Sequence, residues 1–258
     1  MYSLLMFLAL FILIFLGFPV AFSLISVAFA FGLFTFGDAV IFQFISKIEG
    51  ISTNFILAAV PLFVFMGSML ERSGIAQQLF SAIHMWTRRL PGGLSIGTVI
   101  MCIIFAASTG VIGATETVVG LLAIPAMLKH NYSHSLISGT ICAGGSLGTI
   151  IPPSVVVVVL GPIADVSIGD LMVGMLIPGL ILALLYIIYI FFLCLIKPEN
   201  GPRINTEDEI SRLSLNQKLI ITVKALIPPF LMIFAVLGSI MLGWAAPTEA
   251  AALGAVGS

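Results

Sequence analysis

Two short stretches of this sequence gather hydroxyls, glycines and one carboxyl within otherwise apolar surroundings. The first holds Ser108, Thr109, Gly110, Gly113, Thr115, Glu116 and Thr117; the second runs Gly144-Gly145-Ser146-Leu147-Gly148-Thr149 and continues Ile150-Ile151-Pro152-Pro153-Ser154. Hydroxyls and unwound backbone carbonyls can replace the water shell of a sodium ion, while half-helix N-termini offer N–H groups to an anion. Small residues also let helices pack closely, so either stretch alone admits a bland reading; together they point to an ion and substrate site. Glu116 is the one acid set far from the ends of an apolar stretch. A carboxylate there is costly unless paired, hydrated or protonated. It is read as a cation ligand, a proton carrier or a determinant of substrate polarity, against the alternative of a protonated acid bridging helices.

The elements that must position these groups are membrane helices. Apolar residues make up 60% of the 258 and charged residues 8%, far below the roughly 25% charged in a soluble domain. A soluble fold of this size lacks the polar groups to cover its surface. Net charge is −1, with no basic stripe for nucleic acid. The apolar N-terminus has neither a basic flank nor a small-residue cleavage site and reads as a retained helix.

Along the chain, 4–35 reads as one tilted or kinked span around Gly17-Phe18-Pro19, 39–50 as an interfacial helix or loop, and 53–70 as a second span. Residues 75–90 form an amphipathic surface segment. The stretch 94–128 is too long for one ~30 Å crossing and too short for two plus a turn; a re-entrant hairpin with its tip at 108–117 fits. Residues 134–162 read as a helix broken at about 145–154, because Pro152 and Pro153 remove two backbone donors and irregular backbone at depth must line a cavity or be buried in protein. Further spans cover 171–196 and 220–243. With a hairpin at 94–128, nine of the ten Lys and Arg (Lys47 excepted) fall on one face, as the positive-inside rule expects, and the N-terminus is cytoplasmic.

The expected organisation is a scaffold with interfacial arm helices (1–93), half of a transport domain (94–165, with hairpin 94–128 and broken helix 134–162), further membrane helices (166–243, with a cytoplasmic loop 197–219) and the start of a second repeat (244–258). Glu249 is read as a first-turn acid of a new helix. His84, His130 and His134 are read as solvated interfacial side chains, and Cys102, Cys142 and Cys194 as small buried hydrophobes. No nucleophile, zinc or P-loop motif appears, so the chain is not read as an enzyme and no cofactor is expected.

Gly145 to Ser154, Val166-Ser167-Ile168-Gly169-Asp170-Leu171 with Ile177-Pro178-Gly179, and Pro247-Thr248-Glu249-Ala250-Ala251-Ala252 with Gly254 resemble, in order, the large membrane subunit of the tripartite ATP-independent periplasmic (TRAP) transporters. The resemblance implies an all-α, polytopic, elevator-type importer in the bacterial inner membrane. Its coupling ion would be sodium, its substrate a small organic acid, and its partners a small membrane subunit, a periplasmic solute-binding protein and membrane lipid. Carried over by position, the sodium and substrate residues are Thr109, Gly110, Gly145, Ser146, Gly148, Thr149, Pro152 and Pro153, with sodium at Thr109, Gly110, Gly148 and Thr149. Ser108, Thr115, Glu116 and Thr117 join them on the polarity of the tip. Where many members have a Ser-Gly-Ser-Ser-like tip, this chain has Thr109-Gly110-Val111-Ile112 and an acid nearby. Members also run on into a second, inverted half, so the chain is read as the N-terminal half of such a subunit, unable to transport by itself. The alternatives are a stand-alone sodium/anion symporter of related architecture, a non-transporting scaffold, or an intramembrane enzyme.

Overall fold

A computed structural model describes residues 2–110, 112–204 and 214–258. Val111, and the part of the basic loop that holds Arg212, lie outside the described residues. Those described are helices and their connections, without a strand among them, and the chain forms two compact units, Met1–Asn54 and Phe55–Ser258.

The first unit holds α1 (Tyr2–Phe15), α2 (Val20–Phe36) and α3 (Ala39–Ser52). The single kinked span expected over 4–35 is two helices. Gly17 takes φ 89°, outside the right-handed helical region, and Pro19 has no N–H to continue the ladder. α1 packs on α2 and α2 on α3, with Phe29 and Phe44 edge to face at 5.3 Å. The segment expected at the interface is the helix α3.

The second unit begins with a 3₁₀ turn, Phe55–Ala58, that leads into α4 (Ala59–Arg72), and Gly74 at φ 77° ends the run. Next come α5 (Ile75–Thr87), α6 (Gly93–Thr109) and α7 (Ile112–Lys129). α6 and α7 pack on each other, and their far ends meet: the Leu94 N–H donates to the Tyr132 hydroxyl at 3.2 Å. The stretch 94–128 is therefore a helical hairpin. The same end is tied to the segment after the long helix that follows, by Gly92 N–H to Gly201 O (3.1 Å), Ser133 N–H to Asn200 O (3.0 Å) and Ile204 N–H to Arg88 O (3.2 Å).

α8 (His134–Ile150) and α9 (Val155–Ala164) are bent by 44° at their break. α10 (Ile168–Ile196) is a 29-residue apolar helix. α11 (Leu215–Ile233), a π-turn (Phe234–Gly238) and α12 (Ser239–Met241) form a 27-residue stretch of spanning length. α13 (Pro247–Gly257) follows, and the Glu249 carboxylate accepts the Ala246 N–H at 2.8 Å. This is the first-turn acid expected there. Among the described residues, three helices are long and apolar enough to cross a membrane, or four with α8–α9 taken as one bent span.

This unit has two cores. One joins α5, α6, α7, α8 and the later part of α10 around Leu79, Phe105, Val119, Met127 and Leu147. The other joins α4, α9, the start of α10, the π-turn and α13 around Phe63, Met66, Val158, Met172 and Val236. In a bilayer such packing, and not the exclusion of water, holds helices together. The outer faces of α10 and α11 stay apolar and exposed, as at Ile177, Leu184, Ile188 and Leu231.

Two expectations need correction. His84 is not solvated: it is 9% exposed, stacked edge to face on Phe80 at 3.9 Å, and neither ring nitrogen has a hydrogen-bond partner. On a 3.6-residue period it falls on the apolar face of α5 with Leu79, Phe80 and Ile83, and burial lowers its pKa from 6.5 to about 4. Cys102 and Cys194 are buried, but Cys142 is exposed.

Candidate functional site

The hairpin tip rests on the break in the α8–α9 helix. Gly110 closes α6 in the left-handed region at φ 66°, and its carbonyl accepts the Val155 N–H, the first of α9, at 3.3 Å. A Cβ at Gly110 would lie 2.5 Å from the Pro153 carbonyl oxygen, so backbone dihedral and close approach both require glycine. On the other side the Thr109 carbonyl faces α4, where a Cβ on Gly67 would stand 3.2 Å from it. Tip and break thus meet where the two cores adjoin.

Within the tip, the Thr109 hydroxyl lies 3.0 Å from the Phe105 carbonyl and 3.2 Å from the Thr115 hydroxyl; Thr109 and Thr115 are fully buried and Ser108 nearly so. Ser108 donates to Phe105 O at 2.8 Å. Thr117 stands apart, exposed and bonded to its own helix at Gly113 O (2.7 Å). The structure therefore gathers Ser108, Thr109, Gly110 and Thr115 but not Thr117.

The break is narrower than 145–154. α8 stays helical to Ile150, and only 151–154 unwind, because glycine is tolerated in a packed helix while proline removes the donor outright. Gly145, Ser146, Gly148 and Thr149 are helical, with Ser146 donating to Ala143 O (2.8 Å) and Thr149 to Ser146 O (2.7 Å). Pro152 and Pro153 occupy the positions whose N–H groups would otherwise serve the Gly148 and Thr149 carbonyls, leaving those two oxygens without their helical donors.

Glu116 lies half-buried against α8. A Cβ on Gly145 would overlap its Cγ and approach its Oε1 to 2.8 Å, so the glycine is the space into which the acid packs. Gly145 precedes the break by about one and a half turns, which sets Glu116 to the side of the tip–break contact and not in it.

Ser154 closes the second polar stretch but is not among the binding residues expected from the sequence. It is 1% exposed, stands at the N-cap of α9 without capping it, and its hydroxyl has no hydrogen-bond partner. A serine directly before an apolar run is a helix-start signal that could have drawn attention to it. Buried hydroxyls are nearly always bonded, and an orphan one at a helix N-terminus, in the same break that deprives Gly148 and Thr149 of their helical donors, is oxygen chemistry suited to a small cation or a polar solute.

A family model described as "Tripartite ATP-independent periplasmic transporter, DctM component" matches residues 7–258. The chain belongs to this family. It is 34% identical over 210 residues to the C4-dicarboxylate TRAP transporter large permease protein DctM of Pseudomonas aeruginosa, covering 81% of this chain and 47% of that protein. With the sialic acid TRAP transporter large permease protein SiaM of Vibrio cholerae it shares 31% identity over 245 residues, 93% of this chain and 54% of the relative. With the ectoine/5-hydroxyectoine TRAP transporter large permease protein UehC of Ruegeria pomeroyi it shares 31% over 190 residues, 72% of this chain and 44% of the relative. The chain spans about half the length of these relatives. The family is one of transporter permeases and not of enzymes, in agreement with the all-helical, membrane-protein reading of the sequence.

Proposed function

We propose that this chain contributes the hairpin-and-broken-helix half of a sodium-coupled secondary importer for a small organic acid. In this reading it lies in the bacterial inner membrane with its N-terminus in the cytoplasm. It works with a small membrane subunit and a periplasmic solute-binding protein. The observation that carries the reading is the seating of the Gly110 tip on the Pro152–Val155 break. The buried tip hydroxyls, the Gly148 and Thr149 carbonyls deprived of their helical donors and the N-terminus of α9 support it.

Sodium, as a transported ion, takes oxygen from Thr109, Gly110, Gly148 and Thr149, and we add the orphan hydroxyl of Ser154 to that set. The N–H groups of Val156 and Val157, in the first turn of α9, have no carbonyl within their own helix to accept them and favour the carboxylate of the substrate. Relatives are named for C4-dicarboxylate, sialic acid and ectoine, which carry a carboxylate, and for isethionate, which carries a sulfonate; an acid group common to all of them supports an acid as substrate class. Because tip and break belong to one packed body, the ion and solute would move with it, in keeping with an elevator mechanism.

The test is uptake by the complete transporter in proteoliposomes, with and without an inward sodium gradient. Uptake should require the gradient, and Ser154→Ala should raise the sodium concentration for half-maximal uptake. Uptake that ignores sodium would sink the coupling, and an unchanged sodium dependence in Ser154→Ala would remove that residue from the site.

A further inference from the structure

α4 turns one stripe inward. Phe63, Met66, Gly67 and Leu70 are buried, at the i, i+3, i+4, i+7 spacing of a single helical face. Gly67 therefore sits among large apolar side chains, at a place where the stripe offers no side chain of its own. Glycine is the least favoured residue of a helix interior after proline, and what it permits there is a close approach that a Cβ would prevent. We propose, on the sodium reading above, that Gly67 is a positioning residue for the ion site. It lets α4 back the hairpin tip closely enough to hold the tip on the α8–α9 break, and so sets both the affinity for the coupling ion and the preference for its size.

Gly67 faces one residue. The three heavy atoms nearest to a Cβ built on it all belong to Thr109: the carbonyl oxygen at 3.2 Å, Cβ at 3.5 Å and Cα at 3.7 Å. Thr109 is fully buried, and its hydroxyl is held by the Phe105 carbonyl at 3.0 Å and the Thr115 hydroxyl at 3.2 Å. The next residue, Gly110, is set against the Pro153 carbonyl, 2.5 Å from where its own Cβ would stand. Residues 109 and 110 thus contact α4 and the break together, and a glycine makes each contact possible. Gly110 is also required by its φ of 66°. Gly67 lies in ordinary helical backbone, so close approach alone accounts for it.

A methyl group at position 67 would press on Thr109 more tightly than ordinary van der Waals contact, and Thr109 would have to give by a few tenths of an ångström. It is not free to do so by itself, since its hydroxyl is tied to α6 and α7 and Gly110 is seated on Pro153. The tip would shift against the break as a unit. Binding constellations work only within about 0.5 Å of their productive geometry, and ion preference depends on the size of the cavity and on the oxygens around it. A shift on this scale changes the fit of sodium relative to the smaller lithium ion.

Gly254 supplies the contrast. It lies on α13, where a Cβ would stand 2.5 Å from Met66 Sδ and 2.8 Å from Val236 Cγ2. Alanine there crowds the same helix, one residue from Gly67, but presses on Met66 and not on Thr109.

The test uses the complete transporter in proteoliposomes, with uptake driven by sodium or lithium gradients, and the melting temperature of the purified transporter as a measure of packing. Gly67→Ala should raise the sodium concentration for half-maximal uptake about fivefold, the scale of one strained polar contact. The lithium concentration that replaces sodium should change by a different factor, because the two ions differ in size. Gly254→Ala should lower the melting temperature and leave the dependence on both ions as in the wild type. A wild-type sodium dependence in Gly67→Ala, the same factor for both ions, or an equal change in Gly254→Ala would overturn the assignment of Gly67 while leaving sodium coupling in place. Wild-type uptake that ignores sodium would instead remove the ion site itself, and Gly67's role with it. If Gly67→Ala fails to assemble, amide hydrogen exchange of the wild-type transporter carries the test. Sodium should slow exchange in 64–70 together with 106–110, and slowing of the tip without α4 would overturn the proposal.

Discussion

Glu116 and Gly145 are a pair that neither residue explains alone. The carboxyl stem fills the space that a side chain on Gly145 would need, so Gly145→Ala should force α7 and α8 apart and reduce both thermal stability and uptake. Glu116→Ala removes the Cγ in the way, and the double variant should recover most of the stability lost in Gly145→Ala. Additive losses in this double-mutant cycle would show that the contact does not couple the two positions. Glu116→Gln keeps the shape and removes the charge. If that variant keeps uptake and its pH dependence unchanged, the acid serves packing alone. The sequence made Glu116 conspicuous as the one acid deep in an apolar stretch. What it could not display was the partner, because a glycine offers no chemistry of its own and matters here only through what lies against it. Ser154 is legible only as a helix-start residue: that its hydroxyl lacks a bond is something no spacing reveals.

At the scale of elements, the two proline pairs show where pattern reading succeeds and where it stops. Pro152-Pro153 ends α8, whereas Pro228-Pro229 lies inside α11, which then passes through the π-turn 234–238. Both pairs remove two donors. At the first pair the chain before it, Gly144 to Gly148, has weak helix propensity, and the Gly110 carbonyl takes over the Val155 N–H. At the second the flanking residues are strong apolar helix formers, and a π-turn one turn later absorbs the altered register. α5 carries a second lesson, since His84 stands among charged and amide neighbours in sequence yet turns inward to α6, where a Cβ on Gly97 would lie 2.9 Å from its Nδ1. Its native pKa of about 4 lies below the ~6.5 of an unfolded chain. The unfolded state therefore binds a proton that the native state refuses as pH falls below ~6.5, and stability drops until about pH 4. The loss should reach about 2 kcal/mol by pH 5. His84→Met removes the titration and should flatten the decline in melting temperature of the purified protein between pH 7.5 and 5. An equally steep decline in the variant would assign it to another group.

For the whole molecule, the fold class, the hairpin and the broken helix could be read from composition, segment length and the placement of charge. The break between α1 and α2 could not, because a glycine–proline pair is compatible with a kink as well as with a full stop. The hairpin carries the largest consequence, since it decides on which side of the membrane every later segment lies. The Leu94–Tyr132 and Ser133–Asn200 hydrogen bonds draw the start of α6, the turn after α7 and the segment after α10 to one end of the second unit. In a bilayer, Arg89, Asn131 and Arg203 must then share one face, while Asp165, at the turn between α9 and α10, lies across the membrane from them. All four are exposed, so each can be replaced by cysteine in a background without Cys102, Cys142 and Cys194 and probed with a membrane-impermeant maleimide. Asp165→Cys should react in spheroplasts with intact inner membranes. Arg89→Cys, Asn131→Cys and Arg203→Cys should react only after the membrane is opened. Reaction of Asn131→Cys from the face opposite Arg89→Cys would mean that 94–128 crosses the bilayer. It would divide the Lys and Arg between both faces and remove the tip from the depth at which an ion and a solute could be held.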